Sequence, residues 1–149
     1  MKAKNSGFTL VEILIVVVIL GILAAIVIPQ FTEASTEAKT SSLCTDLQTM
    51  RSQIELYKIQ HNDNLPSSAA VGFVLALTGQ THIDGSAGDA SGDEYGPYIQ
   101  KIPTNQFVDS DVVEIDGTVG GGAATVGPGW NFNTTTGAFH ADTDAHVAL

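Results

Sequence analysis

The segment GFTLVE at residues 7–12 and the apolar run ILIVVVILGILAAIVI at residues 13–28 decide the fold of this chain. From Phe8 to Ile28 there are 21 residues, which as an α-helix span about 32 Å and match the roughly 30 Å hydrocarbon core of a bilayer. The one acidic side chain in this stretch is Glu12. A carboxylate inside a membrane is costly unless a partner stabilises it, so Glu12 is predicted to be functional.

The distribution of basic residues predicts the orientation of this helix. Lys2 and Lys4 precede the apolar run, and the next basic residue is Lys39. Cationic flanks stay on the cytoplasmic side, which predicts a single-pass membrane protein with its N-terminus in the cytoplasm and everything after Pro29 outside. A cleaved secretory signal peptide is disfavoured, because large residues fall where its cleavage site needs small ones and because the run is long enough to span.

After Pro29 the pattern changes from wholly apolar to amphipathic. One face carries apolar residues at steps of four and three, which trace a helical stripe: Leu43, Leu47, Met50, Ile54 and Tyr57. The simplest interpretation is one helix from about Phe8 to about His61. Gly21 and Pro29 are its weak points, and a kink or local unwinding is expected at Pro29 because proline removes a backbone donor.

Beyond the helix the sequence predicts a small antiparallel sheet, at about residues 97–142. A short helix comes first, from about Ala69 to Leu77, with Ser67 or Ser68 as N-cap and Gly79 past its end. The Asp116-Gly117 turn predicts a hairpin between residues 112–115 and 118–119, and residues 130–132 and 138–140 predict a second one. Such a sheet needs an apolar cover, which the helical stripe can supply. The fold class is therefore α+β.

Charge and cysteine content limit the functions open to the chain. The formal net charge is −10, from 6 basic and 16 acidic side chains, so direct nucleic-acid binding by its own surface is disfavoured. Cys44 is the single cysteine, which excludes an intrachain disulfide, and it is interpreted as a packing residue on the helix. No nucleophile elbow or phosphate-binding loop is present, so an enzyme is not expected.

Several motifs together resemble type IV prepilins and type II secretion pseudopilins, with a class III-type N-methylation signal. The resemblance is most specific over residues 1–60, and it is closest to major-pseudopilin-like chains. Its motifs are residues 7–12 with the apolar run, Gly21 and Pro29, then residues 56–66, Gly96-Pro97-Tyr98-Ile99, Lys101-Ile102-Pro103 and Gly129-Trp130-Asn131-Phe132.

The resemblance implies a pilin fold with three parts and a life cycle. Residues 1–7 would be a cleaved leader, residues 8–29 a transmembrane and filament-core helix, and residues 30–149 a globular head. Prepilin peptidase would cut the Gly7–Phe8 bond and methylate the Phe8 amine. Glu12 would be required for assembly, with an inner-membrane platform, into a homo-oligomeric helical filament. That filament would be a periplasmic pseudopilus or an extracellular pilus, with Gly21–Pro29 a candidate for unwinding inside it.

Physical chemistry agrees with the role that the resemblance implies for Glu12. Cutting after Gly7 places a cation on Phe8, and the Phe8 amine of a neighbouring subunit could then pair with this carboxylate and fix the axial register. Two bland alternatives are that Glu12 pairs with Phe8 of its own chain, or that it is favoured in the first turn by the helix dipole.

Acidic groups in the outer region supply oxygen ligands that suit calcium. The candidates are Asp109, Asp111, Asp142 and Asp144, with a further acidic group at Asp89, Asp93 and Glu94. None fits an EF-hand loop, and a solvated acidic surface is the simpler interpretation, so no cofactor is expected beyond candidate calcium. His140 and His146 lack a third zinc ligand at a recognisable spacing.

Two other functional classes stay open at this point. One is a monomeric, membrane-anchored periplasmic binding module. The other is a minor subunit that primes or tips a filament, against which the presence of Glu12 argues because the resemblance implies that tip subunits often lack this acid.

Overall fold

The computed structural model describes residues 7–66, 71–89, 92, 94–116, 127–143, 146 and 149. In chain order the elements are α1 (Leu10–Gln60), α2 (Phe73–Thr78), β1 (Val113–Ile115), β2 (Trp130–Phe132) and β3 (Phe139–Ala141). The long N-terminal helix packs on a small three-stranded sheet, which confirms the α+β prediction. The chain divides into two compact units between Ala38 and Lys39, and α1 contributes to both.

The N-terminal part of α1 carries the apolar run. By length and composition α1 is able to cross a membrane, with a mean hydropathy of 3.3 over its most apolar window, none of which is buried. In the isolated chain the helix continues through Gly21 and Pro29 without a break, and a kink at Pro29 stays a prediction. A proline removes a single backbone donor, and the turns on both sides keep their own hydrogen bonds. Unwinding in an assembled state stays a prediction.

The C-terminal part of α1 covers the core of the second unit, as the sequence predicts. All five stripe residues are at most 3% exposed, namely Leu43, Leu47, Met50, Ile54 and Tyr57. Against them pack Phe73 of α2 and Trp130, Phe132 and Phe139 of the sheet. Cys44 lies one step off this face and is exposed, so its interpretation as a packing residue is wrong.

His61 extends the stripe by one more turn and is fully buried. Its ring stacks on Tyr57 at 3.7 Å between centroids. Nδ1 lies 2.9 Å from the carbonyl oxygen of Tyr57 and Nε2 lies 2.9 Å from Oγ1 of Thr81. A carbonyl can only accept, so Nδ1 donates to the Tyr57 carbonyl, while Nε2 pairs with the hydroxyl of Thr81. This contact fixes the segment after α2 against the end of α1.

Helix α2 is shorter than predicted. It begins at Phe73 and its N-cap is Gly72, which has φ +75° and no side-chain capping bond. The predicted start at Ala69 and the caps Ser67 and Ser68 lie outside the described residues. The positive φ of Gly72 is incompatible with a helix running through this position. The predicted end is confirmed, because the Gly79 N–H donates to the carbonyl of Leu75 at 2.8 Å.

The sheet is mixed, so the prediction of a purely antiparallel sheet is wrong. β1 pairs with β2 in parallel, with Val113 opposite Trp130. Residues 118 and 119, the predicted partner of β1, lie outside the described residues. At the end of β1, the Asp116 N–H donates to the carbonyl of Phe132, and the Asp116 carboxylate accepts bonds from the N–H and hydroxyl of Thr134. These bonds tie the end of β1 to the turn after β2.

The second predicted hairpin is confirmed. β2 and β3 are antiparallel, with Phe132 opposite Phe139. In the turn, Oδ1 of Asn133 accepts bonds from the backbone N–H groups of Thr135 and Thr136. Gly137 has φ +74°, a conformation that glycine adopts without strain.

Gly129 stands at a crowded junction that leads into β2. Its carbonyl accepts from Nδ2 of the buried Asn105 at 2.9 Å, and its N–H donates to the carbonyl of Val112. A Cβ at this position would overlap the backbone oxygen of Ser110. Backbone atoms cannot move aside as a flexible side chain can, so this position requires glycine.

We expect Gly129→Ala to lower the free energy of unfolding by about 1–3 kcal/mol, the usual cost of overpacking. Gly21→Ala is the matched control, because a Cβ at Gly21 meets nothing within 4 Å. Thermal unfolding of the full chain in detergent micelles, followed by near-ultraviolet circular dichroism, measures the difference. An unchanged midpoint for Gly129→Ala would contradict the role given to this junction.

Tyr98 makes the stability of the second unit, Lys39–Leu149, sensitive to alkaline pH. Its hydroxyl donates to Oε1 of Gln60 at 2.7 Å. Burial, followed by the proximity of Tyr57 and Tyr95, raises the pKa of Tyr98 to about 12. Because the pKa is higher in the folded state than the ordinary value of about 10, the contribution of Tyr98 is present below pH 10 and is lost as the pH rises towards 12.

We therefore expect the urea concentration at the unfolding midpoint to decrease as the pH is raised from 10 to about 12. Tyr98→Phe removes the titrating group, so its midpoint should fall less steeply over the same interval. Urea unfolding at stepped pH values, monitored by Trp130 fluorescence, measures both slopes. Parallel slopes would assign the alkaline loss to other groups.

Candidate functional site

The start of α1 holds Glu12 in a defined position. Thr9 directly precedes the helix, and its carbonyl accepts the first helical bond, from the N–H of Ile13 at 3.3 Å. Thr9 is therefore the N-cap and Glu12 the third helical residue. This spacing is that of a capping box, in which the two residues satisfy one another's backbone N–H groups.

Three hydrogen bonds form the box. Oγ1 of Thr9 accepts from the N–H of Glu12 at 3.2 Å. In return Oε2 of Glu12 accepts from the N–H and from the hydroxyl of Thr9, both at 2.7 Å. Both of these bonds end on the same carboxylate oxygen, so Oε1 takes no part in the box and can accept from another donor. The box fixes the side-chain direction and leaves half of the carboxylate for an outside partner.

The predicted cleavage bond lies immediately before this cap. Gly7, Phe8 and Thr9 are not helical, and Phe8 is 84% exposed. A Cβ built at Gly7 meets nothing within 4 Å. A peptidase needs an accessible peptide bond outside regular structure, and the Gly7–Phe8 bond meets both conditions.

Thr9 is the residue that the sequence analysis missed. Its signal was present, because Ser or Thr followed three residues later by Glu before an apolar run is a capping-box pattern. The sequence analysis weighed Phe8 and the helix dipole as intrachain partners of Glu12. In the structure the intrachain hydrogen bonds of this carboxylate come from Thr9.

The predicted calcium ligands do not converge among the described residues. Asp109 and Asp111 are exposed, whereas Asp142 is fully buried, and these three do not form a group of mutually close ligand atoms. Asp144 lies outside the described residues. Calcium binding at these positions stays a prediction. His146 lies 3.0 Å from the hydroxyl of Thr143 through Nδ1.

A different ligand group does converge in the described part of the chain. The ligand atoms of His82, Asp89 and Glu94 all lie within 4.8 Å of one another. The sequence groups Asp89 and Glu94 with Asp93, which lies outside the described residues, and gives no signal for His82. The intervals of seven and five residues match no standard metal motif, so spacing alone could not reveal this group.

Comparisons with known proteins identify the class of the N-terminal region. Residues 2–28 match the family model described as "Prokaryotic N-terminal methylation motif". Over 60 residues the chain is 42% identical to the type II secretion system core protein G of Pseudomonas aeruginosa, which covers 40% of this chain and 42% of that protein. With the corresponding protein of Klebsiella pneumoniae it shares 29% identity over 106 residues, 70% of each chain.

A pilus protein is also among the relatives. The type IV major fimbrial protein FimA of Dichelobacter nodosus is 46% identical over 55 residues, which cover 37% of this chain and 35% of FimA. No solved structure matches the chain. The first relatives are matched over about two-fifths of their own length. The predicted resemblance to type II secretion pseudopilins and type IV pilins is confirmed, and neither group of names describes an enzyme.

The capping box predicts a specific effect of Thr9. In Thr9→Ala the first turn of α1 loses its side-chain cap, so the N–H of Glu12 should exchange with solvent about fivefold faster, as the loss of an N-cap implies. Thr9→Ser keeps the hydroxyl and is the matched control. Hydrogen exchange of the full chain in detergent micelles, followed by NMR, measures both rates. Equal exchange in the two variants would show that the cap does not hold this turn.

Proposed function

We propose that this protein is a structural subunit of a type IV filament, a type II secretion pseudopilus or a type IV pilus, that polymerises through its N-terminal helix. The observation that carries the proposal is the position of Glu12: a carboxylate held by a capping box at the start of a helix whose N-terminal part is apolar and has no buried residue in its most apolar window. The similarity of the N-terminal region to secretion-system core proteins and a fimbrial protein supports it.

Before assembly, the chain lies in the inner membrane with its N-terminus in the cytoplasm. Lys2 and Lys4 hold the leader on that side, and the apolar part of α1 crosses the hydrocarbon. Its side chains, from Leu10 to Ile28, are at least half exposed wherever they are large and apolar. Lipid covers this surface first, and neighbouring helices cover it in the filament.

Processing then creates the second charge. Prepilin peptidase hydrolyses the Gly7–Phe8 bond with one water molecule, so that Gly7 leaves with a new carboxylate and Phe8 begins with a new amine. A sulfonium methyl donor then transfers its methyl group to this amine and leaves as a thioether. This amine is protonated at neutral pH. It lies at the start of a chain whose Thr9 N–H and hydroxyl still bond to Oε2 of Glu12.

Assembly pairs the two charges between subunits. The Phe8 ammonium of an incoming subunit binds Oε1 of Glu12 on a neighbour, because an unpaired charge is costly in an apolar medium. The inner-membrane platform would supply the driving step. Since the capping box fixes the direction of the carboxylate, this pairing sets the axial register between adjacent subunits.

The experiment is to determine the intact mass and N-terminal sequence of the chain from membranes and from sheared filaments. We expect a chain that begins at Phe8, with or without one methyl group, in both fractions. Recovery from a periplasmic polymer alone would indicate a secretion pseudopilus. A chain that still begins at Met1 and occurs only in membranes would overturn the proposal and favour the anchored binding module.

Glu12 variants test the assembly step in the same fractions. Glu12→Val and Glu12→Gln should both insert and be cleaved, while their filament yield falls about a hundredfold because the Phe8 cation lacks its partner. Glu12→Gln is informative because its side-chain oxygen can still accept from Thr9. Glu33→Gln, outside the apolar run on the same helix, is the control. Normal yield from Glu12→Gln would contradict pairing by charge.

A further inference from the structure

We propose that His82, Asp89 and Glu94 form a binding site for a divalent transition-metal ion of the zinc class. The three residues lie on the segment between α2 and β1, in the unit that begins at Lys39. The proposal is independent of the filament function. It concerns a different part of the chain from the N-terminal helix and a different set of side chains from the four aspartates predicted as calcium ligands.

The backbone brings these residues together through three short extended segments. Thr81 forms antiparallel bridges with Ala87 on one side and with Tyr95 on the other. Two hydrogen bonds join Thr81 and Tyr95, at 3.0 and 2.8 Å, and the N–H of Gly88 donates to the carbonyl of Gln80 at 2.8 Å. His82 follows Thr81, Asp89 follows Gly88, and Glu94 precedes Tyr95. Each ligand therefore comes from a different segment of the same small ribbon.

The register of the ribbon places two of the ligands face to face. Because Thr81 is opposite Tyr95 in an antiparallel pair, His82 is opposite Glu94, and directly opposed side chains lie on the same side of a ribbon. Thr81 is itself buried and bonded to His61. The central segment is thus anchored to the end of α1, which gives the site a fixed base.

The lack of a side chain at Gly88 leaves space for the carboxylate of Glu94. A Cβ at Gly88 would lie 2.9 Å from the carboxyl carbon of Glu94 and 3.0 Å from Cβ of Gln80. Those distances are shorter than ordinary van der Waals contact, so any larger residue at position 88 would displace Glu94. Glycine at position 88 allows the Glu94 carboxylate to lie beside the backbone of Gly88, within 4.8 Å of the ligand atom of Asp89.

The donor set and its spacing indicate the type of ion. Nε2 of His82 and Oδ1 of Asp89 are 3.4 Å apart. Two ligands at about 2.0–2.2 Å from a tetrahedral zinc ion are separated by about 3.3–3.5 Å, so this pair already has the required spacing. One imidazole and two carboxylates carry two negative charges when the imidazole is neutral, which suits a divalent ion. Calcium prefers six to eight oxygen ligands, which this group does not offer.

The site is also open enough to be loaded. The Asp89 side chain is 71% exposed, while the His82 side chain is 23% exposed. A bound ion would therefore be reached from solvent and would complete its coordination with water. Its effect would be to join the three segments of the ribbon, in addition to their backbone bonds.

The test uses the full-length chain in detergent micelles and zinc chloride as the probe. Competition with a chromophoric chelator measures the stoichiometry and the dissociation constant. Every protein carries Cys44→Ser, because the exposed thiol of Cys44 could itself bind zinc. We expect one zinc ion per chain, and we expect His82→Ala or Glu94→Gln to weaken binding about tenfold or more.

Three controls separate this site from other sources of zinc binding. His146→Ala removes a histidine elsewhere, and Asp63→Asn removes an exposed carboxylate at a position where asparagine tolerates the positive φ. Both should bind zinc as the parent does. Gly88→Ala keeps all three ligands but should weaken binding by displacing Glu94. Far-ultraviolet circular dichroism without metal shows whether each variant retains the fold.

Several results would overturn the proposal. These are the absence of a saturable site in the parent, unchanged affinity in both His82→Ala and Glu94→Gln, or an equal loss of affinity in His146→Ala. Displacement of zinc by an equal concentration of calcium would overturn the assigned ion class. A rise of the melting temperature with zinc in the parent, absent in a folded His82→Ala variant, would support it.

Discussion

The packing of one face of α1 on three very short strands is the constraint on which the rest of the second unit depends. Each strand has three residues, and a sheet of this size cannot exclude water from its own side chains. The stripe from Leu43 to Tyr57 supplies the missing apolar surface. Burial of Trp130, Phe132 and Phe139 against it brings together parts of the chain that are 73 (Tyr57 to Trp130) to 96 (Leu43 to Phe139) residues apart in sequence.

The same helix serves a second and opposite purpose at its other end. There the apolar side chains face outwards, and Glu12 is the one charged side chain in the apolar segment. Thr9 stabilises one oxygen of this carboxylate by donating two hydrogen bonds to Oε2 of Glu12. The arrangement makes Glu12 compatible with its own helix while it stays available to a neighbour, so an intrachain bond and an intersubunit role do not exclude one another.

The local features of this fold could be predicted from sequence, because each of them depends on neighbouring residues. The helical stripe, the end of α2 at Gly79 and the hairpin at Asn133–Gly137 follow from periodicity and turn chemistry. The parallel pairing of β1 with β2 could not be predicted, because a ladder between distant segments leaves no local pattern. For the same reason the sequence does not reveal His82 as a ligand. The bridges of Thr81 to Ala87 and Tyr95 bring Asp89 and Glu94 close to it, and neither these bridges nor the burial of His61 beside Thr81 has a local sequence pattern.

The long separation in sequence between α1 and the strands β2 and β3 affects how the chain folds during synthesis. Arg51 on α1 donates to the carbonyl of Phe139, 88 residues later. During synthesis the stripe of α1 therefore emerges long before the strands that cover it. Folding that waits for such distant contacts is slow. Throughout that interval the side chains of Leu43, Leu47 and Met50 remain exposed to water, because the strands that bury them have not yet been made. Exposed apolar surface of this kind is what chaperones bind and proteases attack.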